Sequence, residues 1–212
     1  MLPAKEKKTY HKEQKMIDSK WRSKFQPLFD KMGKKLVTHN ITPQAITWGA
    51  FVLGVVASIV VIQGWMLLSI ALLWLSGLLD VLDGTVARLT RKSTKAGAYM
   101  DLILDRMVEA FYILAFAYKF PEGNYAYLLF YIAVIFNFTT FIVAATLFQN
   151  KGVKSIHYDV GIAERTETFI IFTLMGLFSY YIFPILMIFN VIIFITGIIR
   201  FKRVLNHCKL FD

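Results

Sequence analysis

From residue 36 to residue 79 the chain carries no Asp, Glu, Lys or Arg, an uncharged run of 44 residues. A membrane-spanning helix needs about 20 apolar residues, so this run holds two. Gln63-Gly64 followed by Trp65 is the natural break, with a glycine for the reversal and an interfacial tryptophan. Uncharged runs also cover 123–150 and 168–199, and the second contains Pro184. At about 1.5 Å per residue the second is too long for one upright span; it divides at Tyr180-Tyr181 and Pro184. One more segment, 96–118, is apolar apart from a few charges. The expected helices are therefore 43–63, 65–89, 96–119, 124–149, 165–183 and 184–203, with no internal repeat. With 57% hydrophobic and only 18% charged residues, a soluble globule, a disordered chain and a collagen are excluded. The single cysteine, Cys208, rules out a disulfide framework and a cysteine metal site.

The net charge of +10 is unevenly placed. Six spans put both termini on one side with the 90–95 and 150–164 loops, and those regions hold 22 of the 24 Lys and Arg residues, counting Arg88, Arg165 and Arg200 at span ends. The positive-inside rule makes that side cytoplasmic. Residues 1–40 carry 11 basic and 4 acidic residues. Trp21, Phe25, Leu28, Phe29, Met32 and Leu36 follow helical spacing there, which predicts an interfacial helix on an anionic leaflet, kinked or shortened by Pro27. No short apolar stretch follows the basic start, so a secretory signal is not expected. No nucleic-acid motif is present, and the topology accounts for the basicity. The expected fold class is an all-α membrane protein: a basic segment over 1–40 with an amphipathic interfacial helix, then six transmembrane helices over 41–212, both termini cytoplasmic.

The informative residues are acidic. Asp80 and Asp83 end the second span; Asp101 and Asp105 begin the third. A carboxylate within a membrane costs several kcal/mol or about that, and persists where it pairs, binds an ion or lines a wet cavity. Spacings of three and four put each pair on one helix face. The short polar link 89–95 makes the two helices antiparallel neighbours, so the four carboxylates should converge near the cytoplasmic boundary. Four such groups repel unless cations intervene, and all-oxygen ligands select Mg²⁺, Mn²⁺ or Ca²⁺. Four can bridge two metals, an arrangement suited to phosphoryl displacement. On spacing alone a proton relay, or scattered ion pairs with Arg88 and Arg106, stays open. Gly84, Ala87, Gly97 and Ala98 allow close helix packing or close ligand approach. Arg88 can clamp phosphate oxygens. Together these suggest a nucleotide-diphosphate substrate.

The stretch from Asp80 to Asp105, DVLDGTVARLTRKSTKAGAYMDLILD, matches D-x2-D-G-x2-A-R-x8-G-x3-D-x3-D at every fixed position. It resembles the signature of the CDP-alcohol phosphotransferase family. Thr42-Pro43-Gln44-Ala45-Ile46-Thr47 resembles the T-P-N-x-I-T segment that opens the family's first span, with Gln44 departing from Asn. The resemblance implies an enzyme. An acceptor hydroxyl attacks the β-phosphate of a CDP-linked lipid, most simply CDP-diacylglycerol, and CMP leaves. It implies that Asp80, Asp83, Asp101 and Asp105 hold two divalent ions, Mg²⁺ or Mn²⁺, with Asp105 also the base. Gly84, Ala87, Arg88 and Gly97 would contact the CDP group. It implies a homodimer, with the active site facing the cytoplasm. Arg106 and Glu109 are spaced to pair as structural support.

For the acceptor, the segment 150–167 is the expected specificity element. Lys151, Lys154 and Arg165 are its candidate contacts. Gly161-Ile162-Ala163-Glu164-Arg165 resembles a G-x-x-E-R stretch of the inositol-phosphate-using branch. That branch also carries basic residues late in the fourth span, and 141–149 here, FIVAATLFQ, has none. Glycerol 3-phosphate, serine and another polyol therefore stand first, with an inositol-phosphate acceptor as the alternative. Two rivals from other classes are a divalent-cation transporter and an inactive membrane scaffold. His11, His39, His157 and His207 form no ligand pattern.

Overall fold

The computed structural model describes residues 17–149 and 165–208, with side chains described for 25–146 and 166–206. Seven α-helices follow in order among them: α1 (Ile17–Thr38), α2 (Pro43–Gln63), α3 (Met66–Leu89), α4 (Lys95–Lys119), α5 (Asn124–Gln149), α6 (Arg165–Leu177) and α7 (Ile182–Cys208). No strand occurs among the described residues. The protein is a multi-pass membrane protein. Segments Pro43–Gln63, Met66–Leu89, Pro121–Thr146 and Ser179–Asn206 are long and apolar enough to cross a bilayer. Of the six expected spans, those on α4 and α6 fall short of that standard. α4 has 25 residues but carries Asp101, Asp105, Arg106 and Glu109. α6 has only 13 residues, about 20 Å of helix.

The helix ends follow local chemistry. Thr42 caps α2, its Oγ1 accepting from the Ala45 N–H at 3.2 Å, with Pro43 in the first turn. At the other end Gly64 takes φ +90°; its N–H donates to Val61 O at 2.9 Å and that of Trp65 to Val60 O at 3.2 Å. This is a Schellman stop, at the break expected from sequence. The same pattern closes α3, where Arg91 takes φ 55° and the Lys92 N–H donates to Ala87 O at 2.9 Å. Thr94 then caps α4 through the Gly97 N–H at 3.0 Å.

Two expectations need correction. The expected boundary at 183/184 lies earlier: α6 ends at Leu177, a 3-10 turn spans Ser179–Tyr181, and α7 begins at Ile182. Pro184 thus sits in the first turn of α7, where its missing N–H costs nothing. Of the two effects expected of Pro27, a kink or a shortened helix, the second does not occur: α1 runs through it.

Helix α2 is the common support, packing extensively against both α3 and α4. A Cβ on Gly54 would lie 2.6 Å from the Val108 methyls, so α2 and α4 meet at contact distance. Hydroxyls stitch α2 to α3: Ser76 Oγ donates to Ala50 O at 2.7 Å, and Ser69 Oγ to Ala57 O at 2.8 Å. The expected neighbours α3 and α4, by contrast, hardly approach each other's backbones. Each leans on α2 through these small residues, which leaves a gap between them. α5 packs on α7, and an aromatic core fills the bundle. In it Tyr112 stacks on Phe172 at 5.0 Å between ring centroids, and Phe130 lies 6.3 Å from both Phe172 and Phe189. α1 lies on α3. Phe29, Met32, Leu36 and Val37 cover Ile46, Leu82 and Val86, and buried Gly33 seats it against Thr85 and Leu89.

Candidate active site

The acids of α3 and α4 face one another across that gap. Asp80, Asp101 and Asp105 are each half-buried and offer carboxylate oxygens that all lie within 4.8 Å of one another. The helical spacing explains this: Asp101 and Asp105 stack one turn apart on α4, and Asp80 reaches them from α3. Asp83 is held from a third helix. It is buried, and its Oδ2 accepts the hydroxyl of Thr47, from α2, at 2.6 Å.

A cavity of about 400 Å³ opens beside the trio. Gly84, Ala87, Arg88 and Gly97 all line it, as do Asp83 and Asp101. These are the four positions singled out for the CDP group, and the fold brings them to one wall. The exposed Arg88 side chain is steadied by its Nη2, which donates to Thr85 Oγ1 at 3.0 Å. Gly97 has a local reason as well: a Cβ there would press on the Thr94 cap at 3.1 Å.

A second cavity, of about 150 Å³, is lined by α4 further along the helix together with α5, α6 and α7. Leu102 and Arg106, the neighbours of Asp101 and Asp105 in sequence, line it together with Glu109, Asn137, Thr168 and Arg200. The expected Arg106–Glu109 pair is present at 2.7 Å. Arg200 is buried; its Nη1 donates to Asn137 O at 3.0 Å and to Asn137 Oδ1 at 2.6 Å, and its guanidinium lies 5.4 Å from the Phe141 ring centroid.

The family model for CDP-alcohol phosphatidyltransferases matches residues 40–199. The chain belongs to the CDP-alcohol phosphatidyltransferase family. It is 33% identical over 193 residues to the inner membrane protein YnjF of Escherichia coli, covering 87% of this chain and 93% of that one. It is 29% identical to an archaetidylinositol phosphate synthase of Pyrococcus horikoshii, covering 76% of this chain and 82% of the relative. In fold it is similar to the Mycobacterium tuberculosis phosphatidylinositol phosphate synthase with CDP-DAG bound. The TM-score is 0.72 at 19% identity, over 84% of this chain and 94% of that one. The same synthase in complex with manganese and citrate gives a TM-score of 0.71 at 20% identity, over 83% of this chain and 88% of that one.

As a CDP-alcohol phosphatidyltransferase, the chain is a metal-dependent transferase of phospholipid biosynthesis. The transporter rival gives way to that membership, and the intact signature from Asp80 to Asp105 argues against an inactive relative serving as a scaffold. The trio fits a divalent ion: its donors are all carboxylate oxygens, the hard ligands Mg²⁺ and Mn²⁺ prefer.

Some expected residues fall elsewhere. Lys151 and Lys154 lie outside the described residues, and Arg165 opens α6 with its side chain outside them. Sequence reasoning missed two features. Thr47 was noted only as part of a segment, although it holds Asp83. Arg200 reads from sequence as a span-end charge on the basic side, and its burial against α5 is not visible there. Its one signal was position, an arginine directly closing an uncharged run, and a positive-inside anchor looks the same.

Proposed function

We propose that this phosphatidyltransferase moves the phosphatidyl group of CDP-diacylglycerol to the hydroxyl of a small phosphorylated polyol. The observation that carries the reading is that α4, which bears Asp101 and Asp105, lines both a cavity with the CDP-signature residues and a second cavity with Arg106 and Arg200.

In this reading Gly84, Ala87 and Gly97 let the CDP group lie against backbone, and Arg88 engages its phosphates. Asp80, Asp83, Asp101 and Asp105 hold two divalent ions. Such ions, when bound, neutralise diphosphate charge and stabilise the leaving group. The acceptor enters from the smaller cavity. Asp105 accepts the proton of its hydroxyl; the oxygen forms a bond to the β-phosphorus, the bond from that phosphorus to CMP breaks, and CMP leaves.

The guanidiniums of Arg200 and Arg106 favour an acceptor with its own phosphate, since arginine matches phosphate oxygens bidentately. Glycerol 3-phosphate and an inositol phosphate both satisfy this; serine does not. The basic residue missing from 141–149 has a counterpart in Arg200 on α7, so the inositol phosphate stands level with glycerol 3-phosphate. The site faces the cytoplasm through six spans, and the protein works as a homodimer.

The test supplies purified protein with CDP-diacylglycerol, Mg²⁺ or Mn²⁺, and a panel of glycerol 3-phosphate, inositol phosphate, serine and unphosphorylated polyols, and follows CMP release. A phosphorylated acceptor should give release that Asp105→Asn lowers by about 10²- to 10⁴-fold. Release no greater than the Asp105→Asn level with every acceptor would overturn the reading.

A further inference from the structure

The Thr47 hydroxyl meets two acceptors, Asp83 Oδ2 at 2.6 Å and the Pro43 carbonyl at 3.0 Å. A hydroxyl has one proton and serves only one of them. Pro43 opens α2, so its carbonyl is already taken by the backbone N–H one turn on, in the ordinary helical pattern. A carboxylate is the stronger acceptor, and 2.6 Å falls in the charge-assisted range of about 2.5–2.7 Å. The hydroxyl therefore donates to Asp83. Thr47 is itself buried at 7% exposure, as is Asp83, and a β-branched side chain inside a helix has little rotamer freedom. The hydroxyl thus has a direction set by α2, and the Asp83 carboxylate is oriented by a helix that contributes no acid.

We infer that Thr47 is a positioning residue for the metal site: it holds the Asp83 carboxylate at the wall of the larger cavity and so sets the geometry with which Asp83 meets an ion. The inference rests on the metal roles proposed above. Hydrogen-bond partners of metal ligands typically govern 10- to 100-fold or so in metal affinity, which fixes the size of effect to look for.

The experiment titrates the full chain in detergent with Mn²⁺ alone and reads free Mn²⁺ by electron paramagnetic resonance. Wild type should bind two ions. Thr47→Val, which keeps the shape and loses the hydroxyl, should weaken Mn²⁺ binding about 10- to 100-fold. Thr47→Ser, which restores the hydroxyl, should return to near wild type. Metal-free thermal unfolding of each variant separates a ligand effect from a folding one, and Thr47→Ala replaces Thr47→Val if the latter does not fold. In an Asp83→Asn background, Thr47→Val should add nothing. Unchanged Mn²⁺ affinity in Thr47→Val, no rescue by Thr47→Ser, or an additive loss with Asp83→Asn would each overturn the inference while leaving the metal reading intact. A wild-type chain that binds no Mn²⁺ would overturn both.

Discussion

Arg200 and Asp83 are residues whose roles depend on what lies far away in sequence. Arg200 meets Asn137, 63 positions upstream, and Asp83 meets Thr47, 36 positions upstream. Nothing local signals either contact. The trio Asp80, Asp101 and Asp105 was legible because spacings of three and four translate directly into shared helix faces. The same arithmetic put Asp83 on one face with Asp80, but it carries no sign of the hydroxyl that reaches Asp83 from a third helix. Arg200 offers a residue-scale prediction. A charge-assisted hydrogen bond contributes about 1.5–3 kcal/mol, and about 1.4 kcal/mol is tenfold. Arg200→Gln should therefore raise the KM for a phosphorylated acceptor by roughly tenfold or more, with the KM for CDP-diacylglycerol unchanged. Steady-state kinetics in each substrate checks this; an unchanged acceptor KM would remove Arg200 from the acceptor site.

At the scale of elements, the uncharged runs located α2, α3 and α5 closely, because capping and turn residues coincide with their ends. The 168–199 run was harder. A proline looks like a boundary, but it is equally at home in a first helical turn, and α7 starts before Pro184. Two predictions belong here. Arg91 holds a left-handed conformation at φ 55°, which costs a non-glycine residue about 1–2 kcal/mol. Arg91→Gly should stabilise the α3–α4 turn by up to about 1 kcal/mol after the entropic cost of glycine, seen as a higher unfolding temperature. Gly54→Ala should do the opposite. Its methyl would meet Val108 at 2.6 Å, and such overpacking typically costs about 1–3 kcal/mol. An unfolding temperature equal to wild type would show that α2 and α4 separate freely there.

At the scale of the molecule, the charge pattern implies an orientation that is open to direct measurement. With six spans and cytoplasmic termini, a tag after Asp212 should resist labelling from outside intact cells and become accessible on permeabilisation. External labelling would sink the six-span topology.

The separation of α3 from α4 has a broader consequence. The acids sit on two arms whose backbones scarcely approach, joined by the Ser69–Tyr112 hydrogen bond at 2.9 Å and sharing one keel, α2, so the distance between the arms depends on how they rest on that keel. Gly54, Ala50 and Ala57 bear no chemistry, yet a change in their bulk tilts an arm and is magnified at its far end. A misplacement of about 1 Å at reacting groups can cost 10²-fold or so in rate. Inactivating substitutions in this enzyme should therefore gather along an uncharged helix, in places where an inspection for catalytic side chains would find only packing.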